Sequence, residues 1–497
     1  MKRIGHFIGG APDMSGAEST PVFDPASGRQ TGEVMLGGAE TVARAVAAAQ
    51  AAAPGWAATP PARRAAVMFA LRDIMIKRRD DIARTISAEH GKTHEDALGE
   101  VARALEVVEF AAGAPQFLKG EFARNVSTGV DTYAAREPLG VVAGVTPFNF
   151  PFMVPLWMAP MALACGNTFV LKPSEKDPSS ASLIHDMLKE AGAPPGVFNV
   201  VNGASAAVDA LLDHPDIAAV SFVGSTPVAE HVYRRGAACG KRVQALGGAK
   251  NHMIVLPDAD LDQAADALMG AAFGSAGERC MAISVAVPVG AETADRLIAR
   301  LAPRVRALRI GPSTDEEAEM GPLISKAHRD RVSGLIGRAA EDGAEIVVDG
   351  RGLALQGYED GFWLGGALLD RVRPGMCAYD EEIFGPVLSV VRADDYEAAV
   401  ALIDNNPFAN GTAIFTRDGD AARDFAARIK VGMVGINVPI PVPVGYFSFG
   451  GWKRSNFGAH GIYGPEAAHF YTRLKTVTSR WPTGIRAGAD FRFPTMN

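Results

Sequence analysis

The sequence predicts an α/β protein of the doubly wound class, assembled from two successive α/β domains. Three observations predict it. Apolar β-rich runs alternate with helical patterns from about Gly140 to Val223, as crossover units on a mostly parallel sheet require. A second such alternation starts at Asn251 and continues to about Ile436. The 497 residues exceed one core, since about 100–200 residues per domain gives two to four domains. Composition agrees, because 48% apolar and 21% charged residues belong to a folded globular chain and not to a disordered one.

Taken in order, Met1–Phe7 is positively charged but has no apolar run of signal-peptide length before Gly9 and Gly10, so no export address is expected. From about Ala39 to Leu118 the pattern is helical. An alanine-rich segment is expected to close near Pro54 and Gly55, a second to run from Ala62 to a stop at Gly91, and a third to begin near Thr93. Phe122 to Pro138 is polar and partly alternating at Val126, Val130, Thr132 and Tyr133, which predicts a strand pair or an excursion suited to an interface. Leu139 to Leu171 contains no charged side chain and is long enough to span a bilayer. Pro147, Pro151, Pro155 and Pro160 interrupt it, and Gly144, Asn149, Gly166 and Asn167 add turn chemistry, so buried core and loop are expected and not a membrane span.

Strands are then expected at Gly140–Val145, Thr168–Leu171, Val197–Val201 and Ala218–Val223, each followed by a helical segment. In the second region a strand covers Asn251–Val255, with helices near Leu261–Phe273 and Asp395–Asn405. The tail from Pro439 to Pro482 is rich in Gly, Pro and aromatics and ends in a strand-like stretch around Phe470–Trp481. The formal charge of −7, with no long block of one sign, supplies no footprint for nucleic acid or anionic lipid. Cys165, Cys239, Cys280 and Cys377 are far apart and form no Cys-x-x-Cys pair. No disulfide framework or metal site is indicated, and a reducing cytoplasm is expected. Cys165 and Cys239 read as core thiols.

Cys280 lies in Gly277-Glu278-Arg279-Cys280, between a helical stretch and the strand-like Ile283–Val289. A glycine-flexed loop can present its sulfur to a cleft as a nucleophile, and a nearby cation or helix terminus favours the thiolate; the alternative is an inert, packed cysteine. Asn149, in Thr146-Pro147-Phe148-Asn149-Phe150-Pro151, follows an apolar strand, where open parallel sheets place ligands. Its amide can donate to a developing oxyanion, or it is simply a turn former. Lys172-Pro173-Ser174-Glu175 pairs an ammonium with a carboxylate after the next strand, where a ribose would bond. Phe222-Val223-Gly224-Ser225-Thr226 sets a hydroxyl at a helix start, suited to a phosphate. No Gly-x-Gly-x-x-Gly is present, and a surface pair and a plain cap are the competing readings.

Together with Glu381-Glu382-Ile383-Phe384-Gly385-Pro386, these motifs occur in one order over more than 200 residues, and the constellation resembles the aldehyde dehydrogenase superfamily along essentially the whole chain. The resemblance implies an NAD-binding domain over residues 1–121 and 139–248, a catalytic domain over 249–442, and oligomerisation strands at 122–138 and 463–485. It implies Cys280 as nucleophile, with Asn149 and the Cys280 backbone N–H as oxyanion hole. Lys172 and Glu175 would hold the adenosine ribose, Ser225 the pyrophosphate, and Glu382 with Phe384 the nicotinamide riboside. Thr146, Pro147, Phe148, Lys176, Gly224 and Leu246 would also line the dinucleotide. Glu175 favours NAD, since a carboxylate repels a 2′-phosphate, while Lys176 beside it leaves dual use open.

One departure narrows the function. Hydrolytic members of the superfamily carry Glu-Leu-Gly-Gly, whose glutamate activates water. Here Gln244-Ala245-Leu246-Gly247-Gly248-Ala249-Lys250-Asn251 puts Ala245, or Leu246 if Lys250 is the anchor, at that place, and neither side chain accepts a proton. A thiol needs less help than water, because it ionises near pH 8 to 9. Ala249-Lys250-Asn251-His252, Gly277-Glu278-Arg279-Cys280-Met281-Ala282 and Phe470-Tyr471-Thr472-Arg473-Leu474-Lys475 are similar to the methylmalonate-semialdehyde dehydrogenase branch. That branch implies coenzyme A as co-substrate and a carboxylated aldehyde whose carboxylate binds Arg279 or Arg103, in a homotetramer or homodimer. The competing readings are an i,i+3 surface pair of Arg103 with Glu100, and an Arg279 that only tunes Cys280. His252 reads as strand packing or a phosphate contact for coenzyme A. The rival functions are a non-acylating enzyme in which Gln244 acts through water, and an inactive NAD-binding protein.

Overall fold

The computed structural model describes residues 2–16 and 18–481. An eight-stranded sheet forms the first α/β unit. Its five central strands, Arg242–Leu246, Ile217–Val223, Val141–Val145, Thr168–Lys172 and Phe198–Val200, are adjacent in that order and mutually parallel. Antiparallel edges are added by Asn456–Phe457 on one side and by His6–Ile8 and Ala11–Asp13 on the other.

The strand residues alternate between two cores. Val142, Phe169 and Leu171 pack with the helices Pro61–Lys77, His94–Ala112 and Met153–Ala164, while Val141, Ala143 and Val170 pack with Ala39–Ala58 and Ser205–Asp213. Burial on both faces explains why these strands read as continuous apolar runs. Strand order reverses beside Val141–Val145, which has Thr168–Lys172 on one side and Ile217–Val223 on the other. The crevice outside the carboxyl ends of Val141–Val145 and Ile217–Val223 is therefore the ligand position of an open sheet, and it carries Thr146–Asn149 and Gly224–Ser225.

The second unit is a seven-stranded sheet in the order Glu345–Val348, Ala367–Asp370, Val387–Val390, Ile283–Pro288, Asn251–Val255, Gly411–Phe415, Met433–Ile436, parallel except for the first pair. The helix Leu261–Phe273 matches its predicted bounds, and Asp395 caps Tyr396–Asn405 by accepting from Ala398 N–H. A third sheet pairs Glu121–Ser127, Val130–Pro138 and Thr472–Arg480, all antiparallel. Of the expected segment 463–485, the part before Thr472 includes the helix Pro465–Phe470, and residues 482–485 lie outside the described residues.

Three expectations need correction. Pro54 does not close the first helix, which runs Ala39–Ala58 through it; Trp56, buried just beyond, donates from Nε1 to the Leu163 carbonyl at 2.9 Å, so packing secures the turn that proline weakens. Pro155 and Pro160 likewise sit within the fully buried helix Met153–Ala164. At twelve residues it spans about 18 Å, and among the described residues no helix is long and apolar enough to cross a membrane. The segment from Ala62 is two helices, Pro61–Lys77 and Arg79–His90, separated at Arg78.

Gly91 does end the second of these, in the left-handed conformation at φ 91°. A Cβ there would meet Pro322 Cγ at 2.8 Å and Pro25 Cβ at 3.1 Å. Gly91→Ala is expected to cost about 1–3 kcal/mol and to lower the first transition of a calorimetric scan; an unchanged scan removes this steric account.

Candidate active site

The cysteine turn is built by three successive left-handed residues. After the helix Leu261–Phe273 the chain turns through Ser275 (φ 54°), Ala276 (φ 52°) and Gly277 (φ 70°). Only Gly277 is suited to that region, and its close approach demands glycine too, since a Cβ would lie 2.1 Å from the Gly385 carbonyl oxygen. Strained backbone of this kind persists where its surroundings fix it. Asp96 Oδ2 accepts from Ser275 N–H at 2.8 Å, and the Cys280 carbonyl accepts from the side chains of Asn251 at 2.9 Å and Asn410 at 3.2 Å.

Cys280 sits between two hollows. One, of about 390 Å³, is lined by Arg103, Arg279, Asp96, Phe150, Met153, Trp157, Met281, Ile440, Val442 and Phe449, among others. The other is narrower and is lined by Ala249, Gly277, Glu382, Ile383 and Phe384. Burial, with the Glu382 carboxyl adding to it, pushes the Cys280 thiol up to about 12. Arg279 pulls the other way but contributes least, so it does not make Cys280 a thiolate. Its guanidinium is ion-paired with Asp96.

Arg103 reaches the same hollow, but its partner is not Glu100. Nη1 donates to both Glu106 oxygens at 3.0 and 2.8 Å, and Nη2 to the Val442 and Pro443 carbonyls at 3.3 and 2.5 Å. Glu100 is buried and bonded to Lys92, a pairing that sequence spacing could not reveal. Neither candidate for the missing base position is titratable, and they face opposite sides of the sheet. Ala245 packs in the core with Val141 and Phe222, Leu246 in the core with Met281 and Phe449 against which Cys280 rests. Gln244 is fully engaged: its Oε1 accepts from Ser221 at 2.8 Å and its Nε2 donates to the His460 and Gly461 carbonyls at 3.2 and 2.7 Å.

Of the residues expected at the dinucleotide, Glu382 and Phe384 line the narrower hollow, while Thr146, Lys172 and Gly224 stand at the carboxyl ends of Val141–Val145, Thr168–Lys172 and Ile217–Val223. Lys172 Nζ donates to Glu175 at 3.3 Å. Burial lowers Lys172, whereas for Glu175 burial is outweighed by Lys172, a backbone N–H and Lys176, leaving the carboxyl below its usual range. Lys176 lies 4.6 Å from the Phe148 ring centroid, and Phe148 meets Phe384 edge-on at 5.9 Å. Phe384 itself is left-handed at φ 58°, with its carbonyl 2.6 Å from His328 Nε2. Glu382 accepts from Ala249 N–H at 2.8 Å, and burial raises it to about 6. Two observations fit a polar ligand. Thr146 Oγ1 is buried without a partner, and Ser225, although the cap of Thr226–Ala238, makes no side-chain cap bond. A Cβ at Gly224 would lie 2.5 Å from the Phe222 ring, so only glycine lets the turn pass this close to it.

Sequence reasoning missed Glu278, Asn251 and Asn410. Glu278 is wholly buried, accepts from Ile324 N–H at 3.3 Å, and faces His328 and His90 at 3.5 and 3.8 Å; burial raises it to about 8. His252 is a packed strand residue, bonded to the Lys250 carbonyl at 2.7 Å and Tyr379 at 3.2 Å, and burial drives it down to about 3. Cys165 is a core thiol as expected, but Cys239 is exposed at the end of Thr226–Ala238.

Two α/β units that meet at a partly buried cysteine form a two-domain enzyme frame with a candidate thiol nucleophile. A model of the aldehyde dehydrogenase family matches residues 13–477, and the chain belongs to that family. It is 54% identical, over the full length of both chains, to a malonate-semialdehyde dehydrogenase of Pseudomonas aeruginosa. Among solved structures it superimposes with a TM-score of 0.97 on a Sinorhizobium meliloti protein solved with NAD and provisionally assigned as methylmalonate-semialdehyde dehydrogenase, at 56% identity, covering 98% of this chain and 99% of that one. The methylmalonate-semialdehyde dehydrogenase of Oceanimonas doudoroffii matches at 55% identity and TM-score 0.96, covering 98% of this chain and all of that one.

A thiol raised to about 12 is almost wholly protonated at neutral pH, and its thiolate fraction grows tenfold per pH unit. Iodoacetamide labelling of Cys280, followed by mass, is therefore expected to accelerate with a logarithmic slope near one from pH 7 to 10 without a plateau. Glu382→Gln should raise the rate at every pH. A plateau near pH 8 contradicts the burial argument.

Proposed function

We propose that the protein is an NAD-dependent, coenzyme A-acylating dehydrogenase that converts malonate or methylmalonate semialdehyde to acetyl-CoA or propionyl-CoA with release of CO2. The observation that carries the reading is a cysteine that shares one hollow with Arg103 and Arg279, with only Ala245 and Leu246 where most hydrolytic relatives hold a glutamate. The names of the relatives, including a structure solved with NAD, support it.

The Cys280 thiol gives up its proton to water, the thiolate sulfur adds to the aldehyde carbon, and the oxygen that gains charge accepts hydrogen bonds from the Asn149 amide and the Cys280 N–H. When bound, NAD supplies the hydride acceptor. Lys172 with Glu175 would hold its adenosine ribose, Ser225 and Gly224 its pyrophosphate, and Glu382 with Phe384 its nicotinamide riboside; Thr146, Pro147, Phe148, Lys176 and Leu246 complete the contact. Arg279 and Arg103 hold the substrate carboxylate until the acyl group is a thioester on Cys280. Loss of CO2 then sends the C–C bonding electrons into the thioester carbonyl, and the α-carbon takes up a proton. Attack by the coenzyme A thiolate frees Cys280 as leaving group. This step needs much less help from the site than hydrolysis does, because a thiol ionises near pH 8.5 while water does not.

The reading extends to a reducing cytoplasm, in keeping with four unpaired cysteines, and to a homotetramer or homodimer joined through the three-stranded sheet, whose Phe122, Tyr133 and Leu474 are exposed. Residues 1–121 and 139–248 would bind NAD and 249–442 would carry catalysis. NADH formation from malonate semialdehyde is expected to require coenzyme A, with acetyl-CoA identified by mass; steady turnover to a free acid without coenzyme A overturns the reading. Arg279→Ala or Arg103→Ala should raise KM for the carboxylated substrate roughly 10- to 100-fold while leaving that for propanal unchanged.

A further inference from the structure

The turn between the helices Arg79–His90 and His94–Ala112 carries a lysine withdrawn entirely from water. Lys92 is 1% exposed. Its ammonium donates to Glu100 Oε2 at 2.8 Å and to the Asn149 carbonyl oxygen at 2.7 Å, and lies 4.3 Å from the Phe150 ring centroid. The second Glu100 oxygen accepts the N–H groups of Phe152 and Met153 at 2.9 and 3.0 Å, where the helix Met153–Ala164 begins. One buried ion pair thus grips both ends of the segment Asn149–Met153.

Stability alone does not explain this pair. Removing two charges from water offsets their attraction, and apolar side chains of the same volume commonly serve a core as well. The helix start needs an acceptor for its N–H groups, which accounts for a Glu100 oxygen but not for an ammonium. What the ammonium adds is direction, through a short charge-assisted bond to one particular carbonyl. Among the described residues no group bonds the Asn149 side-chain amide, so the backbone that Lys92 holds sets where that amide points. The two proline neighbours at Pro147 and Pro151 have no N–H with which to anchor the loop.

We propose that Lys92, neutralised by Glu100, is a positioning residue for the oxyanion hole, holding the Asn149 backbone so that its amide meets the oxygen of the aldehyde bound at Cys280. This rests on the reading of Asn149 as oxyanion donor.

Lys92→Met alone leaves Glu100 buried without a counter-charge and can unfold the chain. The informative variant is Lys92→Met with Glu100→Gln, in which Gln Oε1 still accepts the two N–H groups. The experiment is a rapid-mixing measurement of the first NADH turnover, with NAD saturating and an aldehyde that the wild type oxidises. The double variant is expected to slow the burst rate constant roughly 10- to 100-fold, with burst amplitude per site and the Kd for NAD unchanged. Asn149→Ala should slow it at least as much, and the triple variant should be no slower than Asn149→Ala. A wild-type burst rate in the double variant, a loss of amplitude alone, or additive slowing in the triple variant overturns the inference while leaving Asn149 in its role. A wild-type burst rate in Asn149→Ala overturns the reading of Asn149 itself, and the inference with it.

Discussion

The site depends on one short crossing. Gly247–Lys250 must carry the chain from the carboxyl end of Arg242–Leu246, in the first sheet, to the amino end of Asn251–Val255, in the second. Four residues span about 13–14 Å at most, so the carboxyl edge of one parallel sheet is forced against the amino edge of the other. The crossing is tied down along its length. Gly247 N–H donates to the Ser455 carbonyl at 3.0 Å, Gly248 N–H to Thr226 Oγ1 at 2.8 Å, and Ala249 N–H to Glu382 at 2.8 Å. Ser455 Oγ returns a bond to the Gly248 carbonyl at 2.7 Å, and Lys250 bonds the Ala378 and Glu381 carbonyls at 2.8 and 2.7 Å. A Cβ at Gly248 would stand 2.2 Å from Glu382 Oε2. The loops that follow Val145 and Val223 therefore meet the cysteine turn that precedes Ile283.

That arrangement also fixes the electrostatics. Cys280 lies between an apolar wall and the Glu382 carboxyl, and both disfavour its charged form. The resting thiol is thereby shielded from oxidants, because the thiolate is the reactive species. Glu382, raised to about 6, is mostly ionised at pH 7 while unliganded. On the proposed reading, a cationic nicotinamide ring beside it would neutralise the charge that opposes the thiolate and so would link activation of Cys280 to cofactor binding.

Much of this was legible in the sequence, and the gaps share a cause. Strands buried on both faces announce themselves as apolar runs, and the cysteine, asparagine and glutamate motifs occur in a recognisable order. Local signals failed where a distant partner decides the outcome. Pro54 reads as a helix end until Trp56 is found bonded to Leu163, more than 100 residues away. Arg103 appears to pair with Glu100 by spacing, yet Glu100 is claimed by Lys92 from the preceding turn. Asn251 and Asn410 carry no motif, and they matter only because the second sheet brings both to the Cys280 carbonyl. Cys239 reads as a core thiol, but it falls at the end of the helix Thr226–Ala238, where it is exposed.

The apolar residue near the cysteine has a chemical consequence beyond the loss of a base. Leu246, Met281 and Phe449 belong to one core cluster against which Cys280 packs. On the proposed reading, the thioester at Cys280 hydrolyses slowly because no proton acceptor stands at Ala245 or Leu246 and the side chains of this cluster offer water no hydrogen bond. A co-substrate thiol asks less of the site than water does, since it ionises far more readily. On the same reading, slow hydrolysis would give the β-carboxylate time to leave before the acyl group is transferred.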